Sequence, residues 1–214
     1  MARAARIFLP GWGAPGALYS PGLPEGWIAL EPPGFGASRG SFEHCRRWLT
    51  GELARGESPV VLAGHSMGAA LAIAAASELP SSVAGLLLVA PAGLPLTKPI
   101  LESLREFRRQ LARRRYPPRH AAAGIVRALR APRSAFRLAQ GVRALDLSAD
   151  MERVRAHRIP VTVVGCVTDT LVTARLCREA AARMGAAYRE LDLPGGHMWM
   201  LDSWRTLRRE LAAF

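Results

Sequence analysis

The stretch VVLAGHSMGAALAIAAA at residues 60–76 places one hydroxyl, that of Ser66, between Gly64 and Gly68 in the most apolar part of the chain. Residues 60–63 suit a buried strand and 67–79 a helix, so Ser66 falls at a strand-to-helix joint. In a tight joint, side chains at 64 and 68 would collide with the adjoining backbone, and a serine held there projects its hydroxyl above the sheet. The helix that follows aims its positive end at the same point. A plain glycine-flanked turn would explain the glycines but not the strand before and the helix after. Ser66 is therefore read as a nucleophile.

Working outward, apolar runs at 5–9, 27–30, 86–90, 161–165 and 187–191 each suit a buried strand in length and in their bounding turn residues. Helical patterns follow at 42–55, 174–184 and 199–213. This alternation predicts an α/β fold: a mainly parallel sheet of about six strands with helices on both faces. It breaks after residues 91–95. From 97 to 157 the chain reads as helices, interrupted at Pro117-Pro118 and Ala131-Pro132. The expected organisation is a core of residues 1–96 and 158–214 with a helical cap, 97–157, inserted between two of its strands.

The 214 residues suit one domain with a substantial core, and half of them are apolar, which argues against disorder. No apolar run reaches the ~20 residues that span a bilayer. The start, MARAARIFLP, has basic residues but an apolar part too short for a secretory signal, so a cytoplasmic location is the expectation. Cys45, Cys166 and Cys177 have no CxxC spacing and read as free thiols, not as a disulfide framework or a zinc site. Residues 97–145 hold twelve arginines and Lys98 against Glu102 and Glu106, nearly all of the chain's net +12. Leu104, Phe107 and Leu111 fall on one helical stripe, which turns the neighbouring arginines outward.

A serine hydroxyl needs a base, and the base needs an acid to orient it. His197 lies in the loop LPGGHMW after the last strand. His44 and His120 lie on polar helical patterns, His157 beside an arginine, and His65 at the variable position of the G-x-S-x-G motif. Asp169 leaves a strand in GCVTDTLV and is preferred as the acid. Asp192, closer to His197 in sequence, is the competitor. The order Ser, Asp, His is that of enzymes built on a strained serine turn. Donors for a developing oxyanion are expected from the backbone N–H groups of Met67 and of Trp12, the latter in the glycine-bearing loop LPGWG.

With these pieces in place the chain resembles the α/β-hydrolase family. The resemblance rests on PGWG at 10–13, PPGFGAS at 32–38, GHSMG at 64–68, GCVTDTLV at 165–172 and PGGHMW at 194–199, in the family's order. It implies a triad of Ser66, Asp169 and His197 under a helical cap, and a serine nucleophile sets the chain apart from family members that use aspartate there. Two departures stand out. The chain starts at what would be the family's third strand, so a smaller sheet is expected. Pro10-Gly11 also replaces the usual His-Gly ahead of the oxyanion residue. Within the family the pieces look most like small carboxylesterases of the pimeloyl-acyl-carrier-protein methyl ester esterase type, from biotin biosynthesis.

The expected function is thus hydrolysis of carboxylic esters through an acyl-enzyme, with no metal or organic cofactor required. Trp12, Leu171 and Trp199 are candidate substrate-binding walls. The arginine-rich cap is either a solvated face or a basic funnel for an anionic substrate such as an ester on acyl carrier protein. Nucleic acid fits poorly, because the cap lacks a regular series of aromatics. A membrane surface is a weaker partner. A thioesterase, a lyase or a perhydrolase on the same triad, and a non-catalytic binding protein, are the alternatives.

Overall fold

Strands that are apolar on both sides must be covered on both sides, and the chain folds accordingly. The computed structural model describes residues 4–35, 39–112 and 118–214. Strands β1 (Arg6–Leu9), β2 (Trp27–Ala29), β3 (Val60–His65), β4 (Val83–Val89), β5 (Val161–Cys166) and β6 (Ala187–Leu191) form one sheet in the order β2-β1-β3-β4-β5-β6. Every pairing is parallel. Successive residues of β4 face opposite ways: Leu86 and Leu88 enter one core, Leu87 and Val89 the other.

On the first face lie α1 (Phe42–Ala54) and α2 (Met67–Glu78), with Leu49, Leu53, Leu71 and Ile73 packed over the sheet. Ser41 caps α1 by accepting the His44 N–H at 3.2 Å. Residues Met67 to Ser77 are all buried, because α2 is hemmed in by the sheet, α1 and α6 (below). That position is why its sequence is apolar all round.

The segment after β4 forms α3 (Ile100–Ala112), α4 (Pro118–Arg130), α5 (Pro132–Arg143) and α6 (Ser148–Ala156). The first three lie at the carboxyl ends of the strands: α3 meets the turn carrying His197, α4 the turn at Gly16–Leu18, and α5 both α3 and α1. The fourth behaves differently. It packs against α2 and against α7 (Ala174–Met184), beside the sheet. Its Asp150 is buried, accepting from Ser77 Oγ at 2.5 Å and from Arg153 at 2.9 Å, with Arg46 at 3.7 Å. Of the arginine-bearing stretch, then, the part that stands over the strand ends stops before α6. Gly36–Ser38 of the PPGFGAS stretch, the start Met1–Arg3, Pro117 and the side chains of Leu104, Phe107 and Leu111 lie outside the described residues.

The opposite face is covered by Leu18 and Tyr19 and by α8 (Trp199–Asp202) and α9 (Trp204–Ala212). One helix was expected over 199–213. The break is at Ser203, whose φ of −132° and ψ of 61° are not helical and whose Oγ lies 2.8 Å from Thr206 Oγ1. The last strand was also expected to be buried. As an edge strand β6 has one neighbour, and its Arg189 reaches across to Glu210 at 2.9 Å. Among the described residues no helix is long and apolar enough to cross a membrane. The three cysteines are free and buried, and burial pushes the Cys45 thiol up to about 11, far from thiolate chemistry.

Candidate active site

Ser66 sits between β3 and α2 with φ 54° and ψ −114°, a conformation that costs a non-glycine residue of order 1–3 kcal/mol. Three hydrogen bonds hold it. Its N–H donates to Val89 O at 3.0 Å, and its carbonyl accepts from Ala70 and Ala92 at 3.1 and 3.2 Å. The flanking glycines are sterically required. A Cβ on Gly64 would lie 2.5 Å from the Gly68 carbonyl carbon, and one on Gly68 would lie 2.0 Å from Leu9 O. Met67 opens α2, so its N–H has no acceptor within the helix.

His197 lies in a single 3₁₀ turn, Gly196–Met198, reached through Gly195 and Gly196 at φ 128° and 58°. Its Nδ1–H donates to Asp169 Oδ2 at 2.8 Å, and both side chains are buried. The other oxygen, Oδ1, accepts from the N–H groups of Leu171 and Val172 at 2.8 and 3.0 Å, which fixes the carboxylate. Asp192 is exposed on the surface, and Asp169 is the carboxylate that meets the imidazole. With Nδ1 engaged, the neutral ring presents Nε2 as its acceptor. Thr168 ties the two loops together: its hydroxyl donates to Leu193 O at 2.6 Å and accepts from the Gly196 N–H at 3.2 Å.

Ser66 and His197 line one cleft together with Trp12, Leu96, Leu171 and Val142. Trp12 is anchored to α5, its indole N–H donating to Ala135 O at 3.2 Å and its ring lying 5.2 Å from that of Phe35. Trp199, expected as a further wall, is elsewhere. The 3₁₀ turn directs it away from the cleft into the second core beside Phe8, Tyr19 and Leu207, where it is fully buried, and Met198 lines the cleft in its place. Among the described residues no cluster of His, Cys, Asp or Glu is placed to hold a metal ion.

A residue passed over in the sequence connects these parts. His65 Nε2–H donates to His197 O at 3.0 Å, so its Nδ1 is the acceptor and the Tyr19 hydroxyl donates to it at 2.9 Å. The Tyr19 oxygen in turn accepts the Gly11 N–H at 3.4 Å. This relay joins the Gly11–Trp12 loop, the serine turn and the His197 turn. No local pattern marks it, because the partners lie 46 and 132 residues away.

Burial, and then the neighbouring His197 ring, push the His65 pKa well below 6.5. His65 is therefore neutral in the fold, whereas the unfolded chain takes up its proton. Below about pH 6.5 the unfolded state binds one proton more at this residue, so stability falls as pH falls, by up to about 1.4 kcal/mol per pH unit. Urea midpoints measured from about pH 7.5 down to 5.5 should show this slope. His65→Gln, which keeps a donor and an acceptor, should flatten it. An unchanged slope in that variant would contradict the assignment.

Residues 7–210 match the family model described as the alpha/beta hydrolase family. No curated protein matches the chain. Among solved structures, the thioesterase domain from the curacin biosynthetic pathway is 21% identical, with 98% of this chain and 90% of that one covered at a TM-score of 0.64. An N-acyl homoserine lactone degrading enzyme is 18% identical, over 100% of this chain and 93% of that one, at a TM-score of 0.77. An esterase from Exiguobacterium antarcticum is 15% identical, over 99% and 92%, also at 0.77. At these identities the likeness is one of fold, and the family model spans nearly the whole sequence: the chain belongs to the alpha/beta hydrolase family.

Proposed function

We propose that the protein is a serine hydrolase that cleaves carboxylic esters through an acyl-enzyme. The observation that carries this is the buried His197–Asp169 pair at 2.8 Å, facing the same cleft as a serine held in a strained turn. Ser66 Oγ attacks the ester carbonyl carbon while His197 Nε2 takes its proton. The N–H groups of Trp12 and Met67 stabilise the oxyanion of the tetrahedral intermediate. As it collapses, the leaving alkoxide receives the proton from His197, and the acyl group stays on Ser66. Water, deprotonated by the same imidazole, then releases the acid. Structural relatives described as an esterase, a thioesterase domain and a lactone-degrading enzyme all act on acyl carbonyls, which supports this class of reaction.

The finer reading is a methyl ester presented on acyl carrier protein. Arg105, Arg108, Arg130, Arg133 and Arg137 are exposed on α3, α4 and α5, and α3 and α5 also contribute Ser103, Val142 and Arg143 to the cleft. Such a surface attracts an acidic carrier and speeds its encounter at low salt. Three free thiols fit a cytoplasmic setting. The test is kcat/KM for one methyl ester, free and carrier-bound, at low and high salt. A preference for the bound ester that collapses with salt is expected. Equal, salt-insensitive rates would reduce the arginine surface to a solvated face and leave a small-ester hydrolase.

A further inference from the structure

The cleft is apolar along most of its wall, with Leu96, Val142 and Leu171 contributing, yet its cap side carries two polar groups that the hydrolytic scheme does not use. One is Arg143, at the last turn of α5. The other is Ser103, on α3. Nη1 of Arg143 donates both its hydrogens to backbone carbonyls, to Leu96 O at 3.0 Å and to Lys98 O. Leu96 N–H returns a bond to Arg143 O at 2.9 Å. The guanidinium is thereby fixed against the start of the cap. Its Nε–H and Nη2 donors keep no partner, and no carboxylate pairs with it among the described residues. Ser103 Oγ is buried and also without a hydrogen-bond partner among the described residues. A half-buried cation without a counter-charge and a buried hydroxyl without a partner are each costly, and both line the cleft that holds Ser66.

We propose that Arg143 and Ser103 form a carboxylate-binding subsite, so that the preferred substrate is an ester whose acyl chain ends in a second, free carboxylate. This rests on the esterase reading of Ser66 alone and departs from the carrier-bound ester, whose far end is a thioester and offers Arg143 no carboxylate. The free edge of the guanidinium offers two parallel N–H donors, the arrangement that matches a carboxylate, and the Ser103 hydroxyl adds a third. Leu96, Val142 and Leu171, which line the same cleft, supply an apolar surface for the methylene chain. The reacting carbonyl and the recognised carboxylate thus sit at opposite ends of one molecule, and Arg143 selects for the anion without taking part in bond cleavage.

Two measurements test it. The first needs no turnover: calorimetric titration of Ser66→Ala protein with glutarate, adipate and suberate, repeated with Arg143→Gln and with Ser103→Ala added. Binding is expected for at least one chain length, weakened about ten- to a hundred-fold by Arg143→Gln and less by Ser103→Ala. Should Arg143→Gln fail to fold, Arg143→Lys and Ser103→Ala decide, each expected to weaken binding measurably. Dicarboxylates that bind no better than 1,6-hexanediol, or equally well to the variants, overturn the subsite. The second is the ratio of kcat/KM for monomethyl adipate over methyl hexanoate in the wild-type protein. It is expected to exceed one by about ten-fold or more and to fall in Arg143→Gln. If no ester is turned over while dicarboxylate binding still depends on Arg143, the esterase reading fails and the subsite stands. Equal turnover of both esters without dicarboxylate binding fails the subsite alone.

Discussion

Ser66→Ala is expected to lower kcat for ester hydrolysis by about 10⁴- to 10⁶-fold, because the proposed mechanism loses its nucleophile and Ser103, the other serine of the cleft, has no hydrogen-bonded base among the described residues. The loss should appear in kcat and kcat/KM alike, measured on an activated ester with the variant purified free of host esterases. The fold should survive. The three hydrogen bonds that hold residue 66 run through its backbone N–H and carbonyl, and alanine keeps both. Ser66→Gly is expected to be more stable than wild type, since glycine adopts a φ of 54° without a Cβ penalty. Asp169→Asn isolates the charge: the amide oxygen can still accept from Leu171 and Val172, but the imidazole loses its carboxylate, with about 10⁴-fold in kcat expected to go. Asp169→Ala removes those acceptors too and should also lower stability.

Gly68→Ala is expected to destabilise the fold more than alanine at Gly11, Gly64 or Gly165. The added Cβ would stand 2.0 Å from Leu9 O and 2.6 Å from Leu9 C and Pro10 O, all of them backbone atoms of the β1 end. Rotation of a side chain cannot relieve this. Either α2 or the β1 end must move, at a cost of about 4 kcal/mol or more. Leu9 and Pro10 lead directly into Gly11 and Trp12, so the loop proposed to supply an oxyanion donor moves with them. A fall in urea midpoint together with a lower kcat in the folded fraction is the expected pair of results. Near wild-type stability would mean that the serine turn is looser than its geometry indicates. Gly51, in α1, has nothing near its Cβ position and serves as the control glycine.

The central strands and the serine turn were legible because local sequence and global position agree there. An apolar run, two sterically required glycines and an apolar helix point to one arrangement. Agreement is weaker at the sheet edges. In β6, Tyr188, Arg189 and Glu190 pack against a single neighbour, and strand length alone does not distinguish an edge from a centre. The break at Ser203 has no proline or glycine to announce it. Asp169 and His197 could be picked out because each stands in a loop leaving a strand of a parallel sheet, where loops gather at one edge. Trp199 followed the same logic and went astray, because one 3₁₀ turn directs consecutive residues to the cleft and to the core. His65, Thr168, Ser103 and Arg143 act through partners distant in sequence, and no periodicity records such contacts. The helix α6 was hidden for a different reason: its arginines continue the composition of the preceding segment while its buried face, Met151 and Val154, joins the main core.

The most direct test of the central claim is intact-mass and peptide analysis after exposure to a fluorophosphonate, on the wild-type protein, Ser66→Ala and His197→Ala. One adduct, located on Ser66, abolished in Ser66→Ala and slowed by at least about a thousand-fold in His197→Ala, is the predicted result. A protein that hydrolyses esters yet carries no adduct on Ser66, or labels there just as fast without His197, would contradict it.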